Sequence, residues 1–448
     1  MTTIKFDLEN KYGAFKPLNA TNGGPLCKRH TKNQAKSNFP AYKEARIPYS
    51  RNHDSGTKPI YGGPYSHDVM NIFPNFDADP YDPESYDFAC TDESILICLD
   101  AGTETFYRLG QTIEHQIKKH HTLPPKDFKK WAVICEHIIR HYNEGWADGF
   151  NLNIQYWEIW NEPDLRADDA PASEKSTWGG TKLQFFDFYE VAAKHLKECF
   201  PHLKIGGPAL AWDEDWGNEF LAEMKKRGVE IDFFSWHVYN PYPKRIMLKA
   251  ERIKKMLVEN GYENAESILN EWNYLAGWTH LYLPSIEVIH SMKGAAFIMA
   301  TMSCAQSSDD IDMLMYYCTF SGVFNGVFDF YTARPLKGYY ALKWYGMFYD
   351  MDHELRSNDE EEDIYTLCGA DKDGKTLCVV TYYQHFNSEE VDESTIEPEE
   401  KEVKVELKEG AEYEVYLLDE NHNAELISTT KDLTFKMMPN SCILIKEV

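Results

Sequence analysis

Two rhythms of apolar and polar positions follow one another along the chain, changing near residue 350. From about residue 12 to residue 350, short apolar runs alternate with longer segments of helical period, the pattern of a parallel βαβα sheet. Eight runs predict strands: Phe15–Leu18, Ala45–Tyr49, Thr105–Leu109, Ile154–Trp160, Leu203–Gly206, Phe233–Val238, Ser267–Asn270 and Met313–Tyr317. Eight is the number that closes a (β/α)8 TIM barrel. Between them, Trp131, Ile134, Ile138 and Tyr142 line one face of a predicted helix that Asp127 starts, after Pro124 and Pro125. Phe186, Tyr189, Ala193 and Leu196 stripe another. Both stripes read as packing against a barrel and are assigned no chemistry.

The segments 20–44 and 50–90 are long, polar and rich in Gly, Pro, Asn and Asp. Loops of this length that follow barrel strands belong to the catalytic face. After the acidic run SNDEEED (357–363), read as a solvated linker, the rhythm shortens to TLCVVTYY, KEVKVELK, YEVYLL, LTFKMM and CILIKEV. This alternation predicts a smaller antiparallel, β-sandwich-like domain. The expected division is therefore a barrel over 12–350 and a β domain over 351–448, with residues 1–11 available to pair with the latter. The acidic stretch around 389–402 is expected to be an exposed loop.

Composition narrows the partners. The formal net charge is −26, which repels nucleic acid and anionic membranes, and no block of Lys and Arg offers a nucleic-acid arm. No apolar stretch reaches the length of a membrane span, and the N-terminus lacks a signal-peptide pattern. A cytoplasmic location is the simplest expectation, and a trimmed secreted chain would read the same way. The ten cysteines include no CxxC pair and mostly sit in apolar runs, so reduced core residues are expected. Aromatic residues make up 14% of the chain, which suits extra packing or platforms for the apolar faces of sugars.

Two segments carry chemistry. In IQYWEIWNEPDL (154–165), Pro163 ends the strand, which puts Asn161 and Glu162 at its carboxyl end. In SILNEWNY (267–274), Glu271 again follows strand-like residues. The two glutamates are 109 residues apart, the interval between a fourth and a seventh barrel strand, so their carboxyl groups can face one central pocket. Paired carboxyl groups are what glycoside hydrolysis needs: one protonates the leaving oxygen, while the other attacks the anomeric carbon or activates water. Sequence spacing does not distinguish retention from inversion. His115, His120 and His121 do not share one helical face, so no metal ligand set is called. Neither a phosphate-cradling Gly-rich loop nor a GxSxG elbow is found, and no cofactor is implied.

These motifs resemble glycoside hydrolase family 39, a family of retaining β/α-barrel glycosidases that includes β-xylosidase and α-L-iduronidase. WNEPDL resembles its acid/base motif and LNEWN its nucleophile motif. LKIGGPALAW (203–212), DFFSWHVYN (232–240) and KGYYALKWYGMF (337–348) resemble its later strands and last helix. The resemblance covers residues 150–350 well and residues 1–150 loosely. It implies retention, with Glu162 as general acid/base, Glu271 as nucleophile and Asn161 bound to the sugar 2-hydroxyl. His237 and Tyr239 match an HxY element, and Arg51 and His53 in YSRNHD match an RxH element. Trp157 and Trp160 are candidate walls for Glu162, and Trp272 and Tyr317 candidate substrate contacts. The segment MLMYYCTFSGVFNGVFDF (313–330) departs from the family's xylosidases, which leaves the sugar open.

The reading is an exo-acting glycosidase of small oligosaccharides, β-xylosidase-like, with α-L-iduronidase, an α-L-arabinose-releasing enzyme and β-galactosidase as alternatives on the same machinery. Alternatives of other classes are a non-catalytic carbohydrate-binding barrel and a metal-dependent hydrolase. Homo-oligomerisation stays open.

Overall fold

The computed structural model describes residues 2–25, 37–52, 67–319, 326–329, 331–359, 361–386 and 396–448. Strand β1 (Thr2–Lys5) precedes eight parallel strands that close into a barrel: β2 (Ala20–Asn22), β3 (Tyr49–Arg51), β4 (Glu104–Leu109), β5 (Tyr156–Ile159), β6 (Lys204–Leu210), β7 (Phe233–Tyr239), β8 (Glu266–Asn273) and β9 (Met313–Tyr316). The predicted fold class is therefore the observed one.

The first two strands lie further along the chain than their apolar runs. Leu18, Ala45 and Ile47 are buried in the main core but precede the strands. The paired residues are Ala20–Asn22 and Tyr49–Arg51, whose inward positions carry Asn22 and Arg51. Polar residues at inward positions hide such a strand from a reading based on hydrophobicity.

Alternation explains the barrel interior, because residues two apart share a strand face. Ala20, Phe106, Tyr156, Phe233, Ile268, Met313 and Met315 form an apolar floor. Two residues further along the same strands stand Asn22, Arg108, Glu158 and Ser235, all buried. The floor seals one end of the barrel, and the polar layer above it faces the carboxyl ends of the strands, where β/α barrels place their chemistry.

Outside, the helix Phe128–Glu144 is capped by Asp127, whose Oδ1 accepts from the Lys130 N–H at 3.0 Å. It buries Trp131, Ile134, Ile138 and Tyr142. Helix Lys182–Cys199 buries Phe186, Tyr189, Ala193 and Leu196 and starts with a capping box between Thr181 and Gln184.

The last helix of the barrel is Lys337–Met347. Strands β10 (His353–Leu355), β11 (Ile364–Ala370), β12 (Thr376–Tyr382), β13 (Lys401–Glu406), β14 (Tyr413–Leu418), β15 (Asn423–Thr430), β16 (Thr434–Met437) and β17 (Ser441–Glu447) follow. They form a six-stranded sheet, β10-β11-β12-β17-β14-β15, and a three-stranded sheet, β1-β13-β16. The amino-terminal strand thus runs parallel to β13, with Ile4 opposite Val405. Ile4, Phe6, Val380, Val403, Val405, Val415 and Ile445 form the core between the sheets. The other face of the larger sheet joins the barrel core through Leu377, Val379 and Leu444. A strand buried on both faces reads as a continuous apolar run, as TLCVV does. The nine described cysteines are free thiols. Cys90 is exposed, and Cys199 and Cys304 are partly so, a departure from the all-core expectation.

Barrel packing leaves no room at Gly206, where an added Cβ would sit 2.2 Å from the Phe233 carbonyl oxygen on the neighbouring strand. Gly206→Ala is expected to lower stability by about 1–3 kcal/mol, read from urea unfolding. An unchanged midpoint would show that β6 and β7 are not held this closely.

Candidate active site

Glu162 and Glu271 reach the pocket through local departures from strand alternation. Tyr156 and Glu158 of β5 point into the barrel, so the next inward position is residue 160. Trp160 instead takes a left-handed backbone, φ 73°. Its indole N–H donates to the Thr177 carbonyl at 3.0 Å, and its ring packs on Trp178 and Phe188. That turn releases Asn161 and Glu162 into the cavity. Glu162 is itself left-handed, φ 49°, an uncommon conformation for a residue with a side chain. Its N–H donates to the Ala209 carbonyl at 3.0 Å, and its carbonyl accepts from the Thr177 hydroxyl at 2.6 Å. On β8 the register against β7 passes from Trp236–Leu269 to His237–Glu271. Asn270 is the extra residue of a β-bulge, and the bulge turns both Asn270 and Glu271 inward.

Arg51 organises the polar layer. Its Nε donates to Glu158 Oε2 at 2.7 Å, its Nη1 to Glu271 Oε1 at 2.9 Å and Asn22 Oδ1 at 3.2 Å, and its Nη2 to Asn161 Oδ1 at 2.7 Å. Asn270 also donates to Glu158. Because Arg51 takes the Asn161 oxygen, Asn161 Nδ2 is left buried with no protein acceptor among the described residues. Tyr239 donates its hydroxyl hydrogen to Glu271 Oε2 at 2.9 Å, and His237 Nδ1 shares a 2.8 Å hydrogen bond with Glu162 Oε1. Lys249 fixes this strand end by donating to the His237 carbonyl at 3.0 Å. One carboxylate oxygen from each glutamate and a ring nitrogen of His237 lie within 4.8 Å of one another.

The two carboxyl groups sit in different fields. Burial pushes Glu162 from its ordinary 4.5 up to about 8; the nearby Asp164 adds to this and Arg51 opposes it. Burial also raises Glu271, but His237, Arg51 and the Tyr239 hydroxyl all pull it back. Burial lowers His237 to about 4, so the ring is neutral near pH 7. Arg51 stays protonated: burial works against its charge, and Glu158 and Glu271 outweigh that. The arrangement holds a protonated carboxyl group beside one whose ionised form is hydrogen-bonded twice, the pairing that separates an acid from a nucleophile.

The structure gathers Arg51, Asn161, Glu162, His237, Tyr239 and Glu271 at one centre. Tyr317 stands at its edge, partly exposed, with its carbonyl accepting from Asn273 Nδ2 at 2.6 Å. Trp272 is a correction: the bulge turns it outward, where it is fully buried between Phe297 and Tyr316 in the barrel–helix layer. Trp157 and Trp160 are also packed in that layer and do not wall Glu162. His53 lies outside the described residues.

Sequence reasoning missed Glu158, Asn270, Asn22 and Asp164. A charged residue at an inward strand position was the available signal for Glu158. Asp164 accepts from the backbone N–H groups of Ala211, Trp212 and Asp213 at 2.8–3.0 Å, so it fixes the loop after β6. His120 and His121 donate their backbone N–H groups to Glu114.

Glu162, His237 and Glu271 are of metal-ligand type. However, both oxygens of Glu271 accept hydrogen bonds from Arg51 and Tyr239, and a guanidinium 2.9 Å away disfavours an adjacent cation. Glu136, His195 and Cys199 form a second such group on the helix layer. There the Glu136 carboxylate is paired with Arg140 and His195.

Comparison with known proteins gives the family and the fold. The family model for glycosyl hydrolases family 39 matches residues 5–328; the chain belongs to this family. It is 26% identical over 226 residues to a β-xylosidase of Geobacillus stearothermophilus, covering 46% of this chain and 41% of that one. It is 30% identical over 199 residues to a β-xylosidase of Caldicellulosiruptor saccharolyticus, covering 39% and 38%. The chain thus spans about two fifths of the length of these relatives. A glucosidase of Croceicoccus marinus has the same fold, with a TM-score of 0.79 and 20% identity over 100% of this chain and 99% of that one.

The Glu162 shift has a sign that can be checked. Between about pH 4.5 and 8 the folded protein keeps a proton that the unfolded chain has released, so this group makes stability fall as pH rises through that window. Glu162→Gln removes the titration. Relative to wild type it is expected to gain on the order of 3 kcal/mol in urea unfolding between about pH 5 and pH 8.5. Equal pH dependence in the two proteins would contradict a carboxyl group held protonated.

Proposed function

We propose that this protein is a retaining glycoside hydrolase that releases terminal sugars from small oligosaccharides by double displacement, with β-xylosidase-like action. The observation that carries the reading is the approach of Glu162 and Glu271 to within 4.8 Å, oxygen to oxygen, across one polar pocket. Retaining glycosidases hold their carboxyl groups about 5–5.5 Å apart, and inverting ones about 6.5–9.5 Å, to admit a water.

In the first step Glu162 gives its proton to the glycosidic oxygen while Glu271 attacks the anomeric carbon and forms an ester. Arg51 and Tyr239 hold the attacking carboxylate ionised and in position until the bond forms. Esterification removes the negative charge of Glu271, so Arg51 then favours the ionised form of Glu162 and lowers its proton affinity. Glu162 can therefore accept a proton from the water that cleaves the ester. Asn161 Nδ2, left without a protein acceptor by Arg51, is the donor for the sugar 2-hydroxyl. That hydrogen bond strengthens as charge develops at the neighbouring carbon. The β-xylosidase relatives support a pentose as the leading sugar.

Glu271→Ala is expected to abolish turnover and to regain it with azide, giving a glycosyl azide of inverted configuration by NMR. Full activity without azide would end the assignment of Glu271. Glu162→Ala is expected to lose about 10²–10⁴-fold in kcat on natural linkages while keeping the first step on aryl glycosides with good leaving groups. Equal losses on both substrate types would contradict its role as the acid.

A further inference from the structure

One cluster of metal-ligating side chains lies away from the pocket, on the outer helix layer. Glu136 belongs to helix Phe128–Glu144, and His195 and Cys199 to helix Lys182–Cys199. His195 and Cys199 are four residues apart, so they stand on one helical face, the spacing at which a helix presents paired metal ligands. Glu136 meets them from the neighbouring helix. One donor atom of each residue lies within 4.8 Å of the other two. His195 Nε2 is 2.7 Å from Glu136 Oε2 and 3.9 Å from Cys199 Sγ.

These distances suit a shared ion. Zinc bonds of about 2.0–2.1 Å to nitrogen and oxygen and about 2.3 Å to sulfur, in tetrahedral geometry, set the donor atoms about 3.3–3.6 Å apart. The two observed separations bracket that range, so shifts of about half an ångström bring the atoms onto one metal. A nucleophilic triad does not fit the same geometry. There the carboxylate holds one ring nitrogen and the nucleophile the other. Here both converge on Nε2, which carries at most one proton.

The surroundings fit as well. Arg140 Nε donates to Glu136 Oε1 at 2.8 Å, and its Nη1 donates to Glu144. The guanidinium thus orients the carboxylate through one oxygen and leaves Oε2 turned to the imidazole, the supporting role common around metal ligands. Glu144 offsets its charge, and Glu198 adds negative charge near the thiol. At the catalytic centre, by contrast, Arg51 and Tyr239 occupy both oxygens of Glu271. The His195 side chain is 28% exposed, which gives an ion a path from solvent and leaves a fourth position for water.

We propose that Glu136, His195 and Cys199 form a zinc site that ties these two helices together. Zinc suits one thiolate, one imidazole and one carboxylate; magnesium and calcium prefer all-oxygen sites. On binding, the thiol gives its proton to solvent and neutral His195 binds through Nε2 with its proton on Nδ1. The first helix precedes β5 and the second follows it. The ion therefore braces the helix layer on both sides of the strand that leads to Glu162.

The test uses the full chain, stripped with a chelator, then titrated with zinc by calorimetry and with cobalt(II) by absorption. One zinc per chain is expected, with Tm rising by about 3 °C at a hundredfold excess over Kd and no rise with magnesium. Cobalt should give a thiolate-to-metal charge-transfer band in the near ultraviolet. Cys199→Ser should remove that band, and both it and His195→Gln should weaken zinc binding by about tenfold or more. Cys90→Ser, at an exposed cysteine, and Glu162→Gln, at the catalytic centre, should bind zinc as the wild type does. No cobalt–thiolate band, a Tm that zinc does not raise, or unchanged zinc affinity in Cys199→Ser and His195→Gln would overturn the site. So would a loss of binding in Glu162→Gln alone, which places the ion in the pocket. Should one ligand variant fail to fold, the other decides together with the wild-type cobalt spectrum.

Discussion

A single buried guanidinium joins three barrel strands at the base of the pocket, and the site's chemistry depends on it. Arg51 at the end of β3 pairs with Glu158 on β5 and Glu271 on β8 and orients Asn161. Taking these charges out of water is costly, and breaking a buried pair by removing one partner is typically costlier, because it strands the other. The barrel supplies the remaining bonds: Asn22 and Asn270 complete the layer. One positive charge thus faces two carboxylates, while burial keeps the proton on Glu162 against the pull of Arg51. The asymmetry between the two catalytic candidates follows from their partners: Glu271 accepts hydrogen bonds from Arg51 and Tyr239, whereas Glu162 has neither.

Backbone irregularity does the aiming. A regular β5 would present Trp160 to the pocket, and a regular β8 could not present both Asn270 and Glu271. The left-handed turn at Trp160 and the bulge at Asn270 each shift the side-chain alternation by one residue. Trp160 returns to the aromatic layer under the helices, so the conformational cost is offset by packing. Asp164 and Thr177 then clamp the loop that carries Glu162.

The barrel was legible because its strands and helices have distinct apolar periods, and the β domain because its runs are short and evenly spaced. Pro163 marked the strand end that carries Glu162. What stayed hidden depends on inward polar residues, on backbone irregularity or on partners distant in the chain. Asn22 and Arg51 are polar at inward positions, so their strands were placed too early. Trp272 follows a bulge that turns it away from the pocket, and nothing in the local sequence marks that turn. Glu158 sat in full view within YWEIWNEPD, but a buried ion pair has no signature in one chain segment. Its partner is 107 positions away.

In the proposed double displacement Glu271 forms the covalent bond and Glu162 does not. A 2-deoxy-2-fluoro glycoside of a sugar the protein turns over, with an activated leaving group, slows release of such an intermediate. Peptide mapping by mass spectrometry then locates the adduct. A single glycosylated peptide containing Glu271 is expected; an adduct on Glu162, or turnover of the reagent with inversion and no adduct, would contradict double displacement through Glu271.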